Sequence, residues 1–151
     1  MEKRCFLFGH KVITEPVEHS LERAIDRSIV EFQITEFMVG NYGEFDKLCA
    51  RKLQKAKEKY PHIHIYSALA YYPEKNKWRL PEKFDGFYFP DGQERVPPKA
   101  AIPKLNSYLV DTSDLIICYV SYISNGAYSV LRYAQKKSKR KPFIINLGDI
   151  K

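Results

Sequence analysis

Cysteine and glycine are both scarce in this 151-residue chain, at three and seven residues, and no long apolar run is present. Cys5, Cys49 and Cys118 are odd in number, far apart and set among apolar neighbours. That pattern excludes a disulfide frame or a cysteine-based zinc site and predicts buried free thiols in a reducing compartment. No stretch reaches the roughly 18–20 apolar residues a membrane span needs. The start, Met1-Glu2-Lys3-Arg4-Cys5-Phe6, lacks the shape of a signal peptide. A cytoplasmic protein without membrane partners is expected. G-x-G-x-x-G, G-x-x-x-x-G-K-[ST] and G-x-S-x-G are also missing, so the standard dehydrogenase, P-loop and hydrolase-elbow readings lose their main support.

What is present describes one globular domain over 1–151, with 44% apolar and 28% charged residues and no repeat or linker. The net charge of +7 is concentrated. Residues 47–59 carry six cations against Glu58, and 136–141 carry five more. Both clusters fall in or just after the C-terminal half of a predicted helix, where cations complement the dipole and solvate the outer face. Binding of single-stranded nucleic acid through them is an alternative, and the less favoured one.

Short apolar runs alternate with amphipathic segments. Strands are expected at Cys5–Phe8, Glu36–Val39, about Ile63–Leu69, Leu115–Val120 and Phe143–Ile145. Helices are expected from Glu15-Pro16, over 45–60, from Ile102-Pro103 and after Gly126. Residues 71–98 hold five of the nine prolines and seven of the 21 aromatics without periodicity, and read as a long loop serving as a lid. The pattern is α/β: a Rossmann-like doubly wound parallel sheet of about five strands, order 3-2-1-4-5. Its ligand crevice then opens between the strands at 5–8 and 115–120, beyond their carboxyl ends.

Three segments fall there: Phe8-Gly9-His10-Lys11, Gly40-Asn41-Tyr42-Gly43-Glu44-Phe45-Asp46, and Ser121-Tyr122-Ile123-Ser124-Asn125-Gly126-Ala127. Glycine lets backbone approach a ligand, and helix N-termini favour phosphate. Ordinary turn chemistry explains any one of them; three on one crevice point to a site. His10 is placed to donate to phosphate. His62-x-His64 lacks a third ligand, so no metal is expected.

Phe6-Leu7-Phe8-Gly9-His10, then Phe37-Met38-Val39-Gly40-Asn41-Tyr42-Gly43-Glu44-Phe45-Asp46, then Asp114-Leu115-Ile116-Ile117-Cys118-Tyr119-Val120 followed by Ser124-Asn125-Gly126-Ala127, resembles the SLOG superfamily (SMF/DprA–LOG). Its small stand-alone YpsA-like branch is the nearest in pattern. The resemblance spans nearly the whole chain. It implies a Rossmann-like domain binding nucleotides or nucleotide-derived ligands, including NAD- or ADP-ribose-related signals. Other members hydrolyse cytokinin nucleotides or bind single-stranded DNA. The hydrolytic branch carries Pro-Gly-Gly-x-Gly-Thr-x-x-Glu where this chain has Ser124-Asn125-Gly126-Ala127-Tyr128-Ser129-Val130-Leu131-Arg132, so hydrolysis through that motif is not expected.

The resulting expectation is a binder, sensor or sequestering protein for an ADP-ribose-like or cyclic nucleotide signal, with no other cofactor. Backbone amides of Gly9, Gly43, Gly126 and Ala127 hold phosphate. Asn41, Asp46 and Asn125 contact ribose, Tyr42 or Tyr71 stacks the base, and Lys11 and Arg132 add charge; Gly40 and Ser124 complete the loops. A homo-oligomer is expected through the helix faces. As an enzyme, the alternative is a nucleoside-phosphate glycosidase with Glu44 or Asp46 as base.

Overall fold

A computed structural model describes residues 2–74 and 77–150. The strands are β1 (Arg4–Gly9), β2 (Glu36–Val39), β3 (His64–Ala68), β4 (Gly86–Tyr88), β5 (Leu115–Tyr119) and β6 (Phe143–Asn146). The helices are α1 (Glu18–Val30), α2 (Glu44–Lys59), α3 (Ala101–Asp111) and α4 (Ala127–Lys136). All strand pairings are parallel, in the order β4-β3-β2-β1-β5-β6. No helix among the described residues is long and apolar enough to cross a membrane.

Strand alternation sorts the core into two layers. Cys5 and Leu7 of β1, Phe37 and Val39 of β2, and Leu115, Ile117 and Tyr119 of β5 pack on Leu21, Ile25, Phe45 and Leu53 of α1 and α2. Their neighbours Phe6, Phe8, Met38, Ile116 and Cys118 face Leu105, Leu109 and Leu131 of α3 and α4. Helices therefore cover both faces, and all five residues of β5 are buried, as befits a strand apolar on both sides. The three thiols are free and fully buried.

Three expectations need correction. The sheet has six strands, because β4 pairs with β3 at the edge beyond the expected third strand. Three residues are too few for a periodic signal. They are held in place instead: Asp85 N–H donates to Ile65 O (2.8 Å), Leu69 N–H to Tyr88 O (2.9 Å), and Phe84 is buried in the core. The segment 71–98 is therefore partly regular. It builds a sheet edge and enters α3 through 3-10 turns at Gln93–Arg95 and Pro98–Ala100. The first helix begins at Glu18, later than Glu15-Pro16 suggested. Residues 14–15 meet Tyr119 instead: its phenol accepts the Thr14 N–H (3.2 Å) and lies 3.4 Å from Glu15 Oε1.

Gly9 ends β1 where β1, β5 and α2 converge. A Cβ there would lie 2.5 Å from Phe45 Cδ2 and 3.0 Å from Tyr119 Cβ, so no larger residue fits without displacing the Phe45 ring and crowding the Tyr119 side chain at its root. Gly9→Ala is expected to destabilise the fold by about 1–3 kcal/mol, the range for overpacking a filled core. Urea unfolding checks this: the midpoint falls while the slope stays constant.

Candidate functional site

Beyond Gly9 the chain leaves β1 for α1 on one face, while beyond Tyr119 it leaves β5 for α4 on the other. The His10 N–H still reaches Tyr119 O (3.2 Å). Past that bond the two strands part, and a cavity of about 550 Å³ opens. Its rim is made by the segments after β1, β2 and β5, and its inner wall by Phe6, Phe8 and Ala68 of the sheet with Leu105 and Leu109 of α3.

Each rim segment is fixed by its neighbours. Gly43 precedes α2 because a Cβ there would come 2.7 Å from Lys11 Cα; without one, the β1–α1 and β2–α2 turns lie directly against each other. Glu44 locks that contact. Its N–H donates to Lys11 O (2.8 Å), and its carboxylate accepts the Ile13 N–H (2.8 Å). On the β5 side, the Asn146 amide pairs with both Val120 N–H and Val120 O (3.0 Å each), extending the ladder one residue past β5. The next N–H, on Ser121, donates to His10 Nε2 (3.0 Å).

His10 thus acts as a clamp. It is buried, its ring stacks on Tyr122 at 3.8 Å and 4°, and it meets Tyr119 edge-on. An Nε2 that accepts a backbone N–H assigns the ring proton to Nδ1. Burial pushes the imidazole pKa down, with Glu15 opposing more weakly, so the ring is neutral near pH 7.

Asp46 is the cavity's carboxyl group. Its Oδ2 accepts the Tyr42 N–H (3.0 Å), and Gly40 leaves room for it, since a Cβ there would stand 2.9 Å from that oxygen. No cation pairs with Asp46 among the described residues. Burial raises its pKa to about 6, against the smaller opposing effect of the Tyr42 N–H. The Tyr42 ring lines the same space while its hydroxyl accepts the Ala70 N–H (2.9 Å), and burial pushes its phenol pKa up.

Of the residues expected from sequence, Gly9, His10, Lys11, Gly40, Tyr42, Gly43, Asp46, Ser124, Gly126 and Ala127 line this one cavity. Four do not. Asn41, Asn125 and Arg132 are exposed outside it, and Tyr71 donates its hydroxyl to Pro98 O (3.1 Å). Glu44 also stands outside, committed to Ile13. The glycines differ in role. Gly9 and Gly43 serve close packing of protein on protein, whereas a Cβ at Gly126 would meet open space. None of the described residues in 71–98 lines the cavity. Sequence reasoning missed Ile102 and Asn106 of α3; it placed Tyr122 in a crevice loop but not its stacking on His10, which has no local sequence signal.

The basic clusters are partly engaged on the surface: Lys52 bridges Glu18 (2.5 Å) and Glu22 (2.7 Å), Lys55 also reaches Glu22 (3.5 Å), Lys57 pairs with Asp85, and Arg140 with Asp114. His64 lies 3.4 Å from Asp85 at the sheet edge. The chain matches no known protein-family model and no curated protein sequence.

Because the folded state holds the Asp46 pKa above its ordinary value of 3.8, at about 6, its contribution to stability is full below pH 4. It is lost as pH rises through 6. Asp46→Asn removes that loss. The variant is expected to exceed the parent in stability at pH 7.5, by up to about 3 kcal/mol, and to match it at pH 4. Urea melts at the two pH values check this.

Proposed function

We propose that the chain binds a nucleotide-derived small molecule of the ADP-ribose or cyclic-nucleotide kind, as a sensor or sequestering protein. The observation that carries this reading is the cavity at the β1/β5 divergence, where the N-termini of α2 and α4 meet an apolar wall. That is the crevice at which open α/β sheets take ligands. Phe6, Phe8, Leu105 and Leu109 suit the face of a base. Backbone at Gly9, Gly126 and Ala127, with the Lys11 ammonium, suits phosphate. Tyr42 suits a ribose, and Asp46 beside it lies where the phosphate joined to that ribose would enter. The SLOG resemblance of the same three loops supports the same ligand class.

Thermal-shift titration with ADP-ribose, NAD, AMP and cyclic AMP tests this. A true ligand at a hundredfold excess over Kd adds about 2.7 kcal/mol and raises Tm by about 5–10 °C for a domain of this size. Lys11→Ala is expected to weaken binding about tenfold or more, as for a lost charged hydrogen bond. No shift with any of the four would overturn the reading.

One observation favours a second reading, a nucleoside-phosphate glycosidase. The Asp46 carboxyl is poised near neutrality (about 6), as a general acid or base would be. Chromatography after incubation separates the two: intact nucleotide supports binding, and a released free base supports catalysis.

A further inference from the structure

The cavity is nearly without fixed charge. Lys11 is the one lysine or arginine in its lining and Asp46 the one carboxyl group, among the described residues. With Asp46 ionised the two cancel. The other titratable groups facing this space add nothing at pH 7. From the β1–α1 turn comes the neutral His10 ring and from the β2–α2 loop the Tyr42 phenol, kept protonated by burial; the Cys49 thiol near Asp46 lies in the core outside the lining and is kept protonated likewise. The β5–α4 loop contributes Tyr122 and Ser124, and α3 contributes Asn106.

Asp46 is also short of donors. An ionised carboxylate offers about four acceptor sites. Among the described residues, Asp46 receives one protein N–H, from Tyr42, and no cation. A phosphate entering this space meets a carboxylate with a single N–H donor and finds the Lys11 charge already offset. A protonated Asp46 reverses that: its O–H donates to the phosphate in a short charge-assisted bond, its other oxygen still accepts the Tyr42 N–H, and the lining keeps the Lys11 charge unopposed. Gly40 leaves the carboxyl this seat without a neighbouring side chain.

We infer that the site takes up its anionic ligand together with one proton from solvent, carried on Asp46, so that acid strengthens binding. This rests on the reading of the cavity as a phosphate-ligand site and adds its regulation. The raised Asp46 pKa, about 6 in the free protein, sets the window: the competent form dominates at pH 5 and is scarce at pH 8.

Calorimetric titration with ADP-ribose tests this, since its two phosphates each keep a single charge from about pH 5 to 8 and any titration belongs to the protein. The expected affinity falls about tenfold per pH unit above 6, roughly a hundredfold from pH 5 to pH 8. At pH 7.5, runs in two buffers of different ionisation heat are expected to report uptake of about one proton per ligand. Asp46→Asn, which cannot ionise, is expected to bind at pH 8 as the parent does at pH 5 and to show a flat profile. Binding without proton uptake, or a variant that keeps the parental pH profile and so moves the proton to His10, overturns the inference. If Asp46→Asn fails to fold, the proton count on the parent decides alone. Absence of ADP-ribose binding at every pH overturns the site reading itself, and this inference with it.

Discussion

The contact of Gly9 with Phe45 and Tyr119 governs how close α2 comes to the centre of the sheet. A Cβ would stand 2.5 Å from the Phe45 ring, so only a bare backbone at the end of β1 lets the first turn of α2 settle there. Phe45 and Tyr119 lie 5.7 Å apart, tilted, as one aromatic plug on that side of the sheet. With α2 seated, Gly43 lies on Lys11, Glu44 reaches Ile13, and Asp46 comes to the cavity floor. The site's geometry follows from one missing side chain at the switch point, with the sheet order determining which loops it brings together.

The cavity's polarity comes from backbone and burial more than from charged side chains. Two titratable groups of its lining are shifted by loss of water, in opposite senses: Asp46 upward, His10 downward. Each change favours the uncharged form. The consequences for folding oppose one another. Acid strengthens the fold through Asp46, whereas acid weakens it through His10, whose Ser121 hydrogen bond requires a free Nε2 lone pair. The two groups therefore respond oppositely to the same protons.

Much of the architecture was readable from the chain, because parallel α/β folds write two clear periods. The apolar run Leu115–Val120 announced a central strand, and the stripe Phe45, Leu48, Cys49, Leu53 announced α2. β4 was not readable, since a three-residue edge strand is held by long-range bonds such as Asp85 N–H to Ile65 O. At the candidate site, glycines marked the loops that converge, but not why they are glycines: Gly9, Gly40 and Gly43 answer to protein neighbours and Gly126 faces open space. The roles of His10 and Tyr71 depended on partners more than 20 residues away, Ser121 and Pro98, which no local pattern encodes.

The three cysteines sit on β1, α2 and β5, all fully buried, with burial keeping their thiols protonated. Thiolate chemistry needs both ionisation and access, and the native state provides neither. An alkylating reagent thus meets these sulfurs only when the sheet parts from its helices. The chain accordingly carries its own clock for opening: the rate at which the thiols become modified reports how often the native packing comes undone, with no label added.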